Sequence, residues 1–502
     1  MSNMQPKKVI VIGSGVAGMA VAIRLAVKGF DVKVFEKNAY PGGKLSMFEK
    51  DGFRFDAGPS LFTQPQNIED LFEEAGEPIA DYFEYKPIDI ACNYFFESGK
   101  NIKGYTDSAA FSEELTQQTG EHTTAVSSYL NESEKIFDNI GSVFLNHSLH
   151  KRSTWLNKRI ITAFKTVKLP YLFKSLNKYN ESHFTSPEAV QIFNRYATYN
   201  GSNPYKAPSM LSLIPHLEMN QGTFYPKGGM ISITNALYKL ALKKGVEFQL
   251  NTPVQRIIHS DHKTQGVVIN HTNVYADMVV SNADIYFTYK NLLNHAVKAR
   301  KVLKQERSSS ALIFYWGIHK TFGQLGLHNI FFTNNYKAEF DCIFNKKQLY
   351  SDPTVYINIT SKEETAHAPS GAENWFVMVN VPANSGQDWD ALKQQARAQI
   401  VQKLSRRLGT DVEALITSET VLDPLLIEEK TGSYMGSLYG TSSNSKMAAF
   451  FRAPNFTGYI KNLYCCGGSV HPGGGIPLCL KSAQITAGII EKDFAQKKEY
   501  AH

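Results

Sequence analysis

Gly13, Gly15 and Gly18 stand in G-x-G-x-x-G spacing near the start of the chain, and an acid, Glu36, follows about twenty residues later. Together these residues can hold a dinucleotide. Gly13 permits a tight turn, Gly15 lets the backbone approach a pyrophosphate, and Gly18 allows a helix to pack closely on a strand. Glu36 can accept hydrogen bonds from both ribose hydroxyls, and its charge disfavours a 2′-phosphate. Chance matches to such glycine spacing are common, so the elements around it decide its meaning.

Those elements are in register. Val9-Ile10-Val11-Ile12 is a short apolar run, the pattern of a strand buried on both faces. Ala17, Ala20, Val21, Leu25 and Ala26 then recur at helical spacing up to Gly29, which can stop the helix. Asp31 to Phe35 returns as a second strand that ends at Glu36. The helix N-terminus offers free N–H groups and partial positive charge to phosphates.

The chain has 502 residues, enough for two or three domains. Its 20% charged and 43% hydrophobic residues exclude wholesale disorder. The net charge of +7 is mild for this length, and no recognition motif accompanies it, so nucleic acid is not expected as a partner. Five cysteines, with no C-x-x-C pair, argue against a disulfide framework and a structural zinc site and suit a reducing cytoplasm. No metal site is expected. Lys7 and Lys8 before an apolar run could imitate a signal peptide, but the glycine fingerprint lies inside the run and Arg24 interrupts it. No stretch reaches the ~18 apolar residues of a membrane span.

Downstream, Gly42-Gly43-Lys44 places flexible backbone and a cation beside the expected pyrophosphate, and Asp51-Gly52-Phe53-Arg54-Phe55-Asp56-Ala57-Gly58-Pro59 follows. A nucleotide fingerprint, then GG-K, then G-x-x-F-D-x-G-P resembles flavoproteins of the amine oxidase and phytoene desaturase superfamily. The resemblance implies FAD as cofactor. It also implies an α/β fold, a Rossmann-like FAD-binding domain interwoven with an α+β substrate domain. The stretch Ala197 to Pro208 resembles the T-Y-x-G-x-N-P-x-x-A-P run of bacterial carotenoid desaturases. Gly222 to Met230 is similar to the hinge back to the flavin domain, and the family places the backbone at Val254 against the adenine. Val279 to Asp284 reads as a strand closing into a turn, another family landmark. Near the C-terminus, Cys466-Gly467-Gly468-Ser469-Val470-His471-Pro472-Gly473-Gly474-Gly475-Ile476-Pro477 resembles the V-G-x-x-x-H-P-G-x-G-I-P signature of carotenoid desaturases, with Cys466 in place of the valine. Strand, glycine loop and helix recur there, so a second helix N-terminus can face the flavin.

The expected cofactor contacts are Gly13, Ser14, Gly15, Val16, Ala17, Gly18, Glu36, Lys37, Gly43, Lys44, Gly58, Pro59, Val254, Gly467, Gly468, Gly475, Ile476 and Pro477. The resemblance implies residues 1–75, 226–290 and 446–502 as the FAD-binding parts, with 76–225 and 291–445 as the substrate domain. Strand patterns are expected at Ala311 to Gly317, Val355 to Ile359 and Trp375 to Val381. Within 151–178 eight Lys and Arg residues and no acid alternate with aromatic and aliphatic ones. That composition suits an amphipathic element on a membrane surface, or a structural hairpin with a basic face broken at Pro170.

The implied reaction is desaturation of a C40 carotenoid, with a hydride passing to flavin N5 and a proton lost from the adjacent carbon. A greasy substrate needs no dense acid–base constellation, and no catalytic base is evident. His471 is a weak candidate that can equally hold its loop by hydrogen bonds. Electrons would leave to oxygen or a membrane quinone, which suits a cytoplasmic, peripheral membrane protein. The wording from His471 to Cys479, with Val381-Pro382-Ala383-Asn384, looks like the 3,4-desaturases of hydroxylated γ-carotene-type substrates. Phytoene desaturases, carotene isomerases and non-catalytic lipid-binding proteins share the same framework.

Overall fold

The computed structural model describes residues 6–156, 174–445 and 452–499. A five-stranded parallel sheet runs in the order Glu247–Gln249, Asp31–Phe35, Lys8–Ile12, Met278–Ser281 and Leu463–Cys465. Strands from three distant parts of the chain thus lie side by side. The first strand is buried on both faces, as its apolar run requires. Val9 and Val11 join the core formed with the helices Val16–Val27, Ile231–Lys243 and Ile476–Glu499. Ile10 and Ile12 point the other way, into a core shared with Ile257, Val267 and Ile269 of a three-stranded antiparallel sheet. The first helix ends two residues before Gly29, whose φ of +83° carries the chain into the second strand.

A second sheet has seven strands, ordered Ile416–Leu422, Ser310–Ile318, Glu373–Val381, Val355–Ile359, His328–Phe331, Ile90–Phe95 and Asn101–Tyr105. The three strand patterns expected from the sequence all lie here. Leu312, Phe314, Trp316, Val377 and Val379 pack against the long helix Trp389–Leu408, through Trp389, Ala396, Ile400 and Leu404. Alternate residues face the other way, as the two-residue period of a strand demands. There Ala311, Ile313, Tyr315 and Phe376 pack on Phe53 and Phe55, which follow the first glycine loops in the chain. Helices including Thr123–Ile136 and Pro187–Asn194 cover the far end of this sheet with a third core.

The α-helix Thr123–Ile136 runs on into one wider turn, Phe137–Gly141. Among the described residues no helix is long and apolar enough to cross a membrane. Most of the basic segment, 157–173, lies outside the described residues, and Pro170 with it.

Candidate functional site: a dinucleotide cradle between two glycine loops

The first glycine loop is tight because three segments converge on it. A Cβ added to Gly18 would lie 2.1 Å from Gly13 O, which is helix packed directly on strand. A Cβ on Gly15 would lie 2.8 Å from Asn282 Oδ1, and one on Gly467 2.5 Å from Asn282 Nδ2. Asn282 therefore sits between the two glycine loops. Its side chain donates to Cys466 O at 3.1 Å, and its backbone N–H donates to Ile12 O at 2.8 Å. The sequence marks 279–284 only as a strand turning over. The clamping role of Asn282 arises from residues hundreds of positions apart and has no local signal.

Glu36 stands at the end of its strand, 5% exposed. One carboxylate oxygen accepts from the Ser14 N–H at 2.8 Å and the Ser14 hydroxyl at 2.9 Å, and the other from the Asn38 N–H at 2.9 Å. A carboxylate has about four acceptor positions. Glu36 thus spends most of its capacity shaping the loop, and ribose hydroxyls would share it with Ser14. Val254 lies half-buried in the adjoining loop, which the Thr252 N–H ties to Glu36 O at 2.7 Å. Val16 and Ala17 open the buried first turn of the helix. The Lys37 ammonium is turned away from this cradle and donates to Glu429 O.

The Gly42-Gly43 turn lies on the first loop. Gly42 N–H donates to Ser14 O at 2.9 Å, and a Cβ on Gly43 would stand 3.5 Å from Gly15 Cα. Gly58 tolerates no side chain, since a Cβ would fall 1.8 Å from Lys44 O. Pro59 beside it is exposed. The Lys44 ammonium donates to Leu438 O at 2.7 Å, and burial pulls its pKa below the ordinary lysine value. That charge therefore reaches toward the second sheet.

The C-terminal loop closes the other side. Gly467 N–H donates to Ser482 Oγ at 3.0 Å, and Gly468 packs with its Cβ position 3.1 Å from Gly474 Cα. Gly475, at φ +109°, turns the chain into the helix that begins at Ile476 and carries Pro477 in its first turn, where a missing N–H costs nothing. Arg452 is a residue the sequence reading missed. Its guanidinium is 2% exposed and donates to Tyr439 O at 2.8 Å and Gly468 O at 3.3 Å. Burial lowers its pKa to about 10, still cationic at neutral pH.

His471 is fully buried. Its Nε2 is 2.9 Å from His147 O, its ring meets Phe144 edge-on at 4.8 Å, and its own carbonyl accepts from Asn455 and Ser482. Burial pulls its pKa down to about 4, so Nε2 donates and the ring stays neutral. The neighbouring thiols are held protonated by burial, Cys465 at about 12 and Cys479 at about 11.

Two glycine loops, an acid at a strand end and a helix N-terminus thus enclose a cradle in which a Cβ at Gly15, Gly18, Gly58 or Gly467 would clash. The residues fit a dinucleotide. The model of the flavin-containing amine oxidoreductase family matches residues 16–490. The chain belongs to that family. As a member it is an oxidoreductase, and its cofactor is FAD. Among relatives of this flavoenzyme, a protein of Flavobacterium sp. strain P99-3 named 1-hydroxycarotenoid 3,4-desaturase is 50% identical, over 96% of this chain and 99% of its own. A phytoene desaturase of Fusarium fujikuroi is 32% identical over 98% of this chain and 90% of its own. A putrescine oxidase crystal structure shares the fold, with a TM-score of 0.64 at 13% identity over 97% of this chain and 99% of that one.

Proposed function

We propose that this flavoenzyme is a carotenoid desaturase acting between carbons 3 and 4 of a 1-hydroxylated carotenoid. The observation that carries the proposal is the 50% identity, over 96% of the chain, to the Flavobacterium relative that bears that name. FAD supplies the hydride acceptor when bound. The chain supplies position and exclusion of water. Residues 1–75, 226–290 and 446–502 form the flavin-binding half, where Gly13, Gly15, Gly18 and Gly43 admit the pyrophosphate and Glu36 orients the ribose. The helix N-terminus at Ile476 and the Arg452 cation behind Gly468 favour negative charge that develops beside them. Residues 76–225 and 291–445 supply the substrate wall. Ile313, Tyr315, Phe376 and Met378 give the face of the second sheet that packs on Phe53 and Phe55 an apolar lining, suited to a polyene. His471 acts as a clamp on the C-terminal loop rather than as a base, because its Nε2 and its carbonyl are engaged and burial disfavours its protonation.

Electrons leave to oxygen or a membrane quinone, from a protein docked on the cytoplasmic membrane surface through residues 151–178. Trp155 and Leu156, 44% and 80% exposed at the start of that segment, support the docking. The function is tested by expression in two carotenoid-producing bacteria, one accumulating a 1-hydroxylated acyclic carotenoid and one phytoene. The expected result is a lengthened chromophore from the hydroxylated precursor alone. A coloured product from colourless phytoene alone would make the chain a phytoene desaturase.

A further inference from the structure

One polar cluster interrupts the apolar face of the second sheet. Across that face the register aligns Ile313, Met378, Tyr356 and Ile330 on successive strands. Tyr356 and Met378 are only partly buried, so this part of the wall is open. Tyr356 OH is 2.7 Å from Ser60 Oγ and 2.8 Å from His328 Nδ1. The Asn358 amide is oriented by donation to Leu327 O at 3.1 Å, and its nitrogen also faces His328 Nδ1 at 3.2 Å. Burial pulls the His328 ring down to about 3 and keeps it neutral. Tyr356 thus links His328 to Ser60 in one hydrogen-bonded chain. The Ser60 hydroxyl, with one donor and two acceptor positions, keeps hydrogen-bonding capacity beyond its bond to Tyr356 at the end of this chain.

The position is as informative as the polarity. Ser60 lies two residues beyond Gly58, which packs on Lys44 O at the rim of the cofactor cradle. In a carotenoid with a hydroxyl on carbon 1 and a new double bond between carbons 3 and 4, only carbon 2 separates the two. A group that reads the hydroxyl must therefore stand beside the reacting end of the cofactor. A second buried polar cluster, Arg195 with Glu218, sits in the helical core with its charges paired to each other at 2.6 Å.

We propose that Ser60, held by Tyr356 and His328, exchanges a hydrogen bond with the carbon-1 hydroxyl and selects hydroxylated carotenoids over their hydrocarbon counterparts. This subsite rests on the desaturase function proposed above. A site built to bond a substrate hydroxyl rejects the analogue lacking it, by ~10⁴ in favourable cases, because its own polar groups are then stranded.

The test compares the purified holoenzyme with its Ser60→Ala and Tyr356→Phe variants on two probes, a 1-hydroxylated acyclic carotenoid and the same carotenoid without the hydroxyl. The expected result is that the ratio of kcat/KM values for the two probes falls by about tenfold or more in both variants, with flavin content unchanged. A purely structural role would lower both rates together and leave the ratio alone. Variant ratios within about twofold of wild type, or a wild type that converts both probes equally, would overturn the subsite while leaving the desaturase function standing. A wild type inert toward the hydroxylated probe would overturn the function itself, and the subsite with it.

Discussion

Glu36 accepts three hydrogen bonds from Ser14 and Asn38 before any ribose reaches it. Glu36→Ala would strand those donors and remove the ribose acceptor, weakening FAD retention by about 1–3 kcal/mol, the scale of hydrogen bonds to charged groups. The flavin-to-protein absorbance ratio of the purified variant checks this, and an unchanged ratio would refute the role. Gly18→Ala is predicted to act through packing alone. Its Cβ would press on Gly13 O and cost about 1–3 kcal/mol of stability, read as a lowered Tm. These two positions were legible in the sequence because strand, glycines, helix and acid form one continuous stretch. Asn282 and Arg452 were not. Their partners, Gly15 and Gly467 for one and Tyr439 and Gly468 for the other, are adjacent only after the chain has folded. The pull of the Lys44 ammonium toward Leu438 was hidden for the same reason.

At the scale of elements, the C-terminal loop and the helical core each contain a buried polar group that pH or mutation exposes. His471 is neutral in the folded chain, with a pKa of about 4, whereas an unfolded histidine titrates near ~6.5. The unfolded chain therefore binds a proton first as pH falls. The stabilisation is complete above about pH 6.5 and is lost progressively toward pH 4, at up to about 1.4 kcal/mol per pH unit. Thermal melts between pH 7 and pH 5 should show this slope, and His471→Gln should flatten it. An equal slope in the variant would place the effect elsewhere. In the helical core Arg195 is paired with Glu218 and ringed by Tyr94, Tyr196 and Tyr199. Glu218→Gln would leave a buried guanidinium without its counter-charge, at a cost of about 3–5 kcal/mol in denaturant unfolding. Stability within error of wild type would contradict that account. The sequence shows the T-Y-x-G-x-N-P landmark beside Arg195, but nothing in it pairs Arg195 with Glu218, twenty-three positions away.

At the scale of the molecule, two sheets divide the work. The parallel sheet gathers strands from both ends of the chain and brings both glycine loops to the carboxyl ends of its strands, while the seven-stranded sheet turns an apolar face toward Phe53 and Phe55. The sequence made the first sheet readable, since its strands carry the motifs. It showed strands of the second without their order, because strand order depends on long-range pairing. Docking on a membrane would bring this apolar wall to a lipid-dissolved substrate. Vesicle flotation should therefore recover more protein with anionic than with neutral lipid, and equal recovery would count against electrostatic docking through 151–178. The central claim is flavin-dependent desaturation, and its most direct test is an anaerobic half-reaction. Purified holoenzyme is mixed with a 1-hydroxylated carotenoid in vesicles, and the flavin and carotenoid bands are followed together. The account predicts bleaching of the flavin in proportion to a carotenoid of longer conjugation. A flavin that stays oxidised while the carotenoid binds would contradict it.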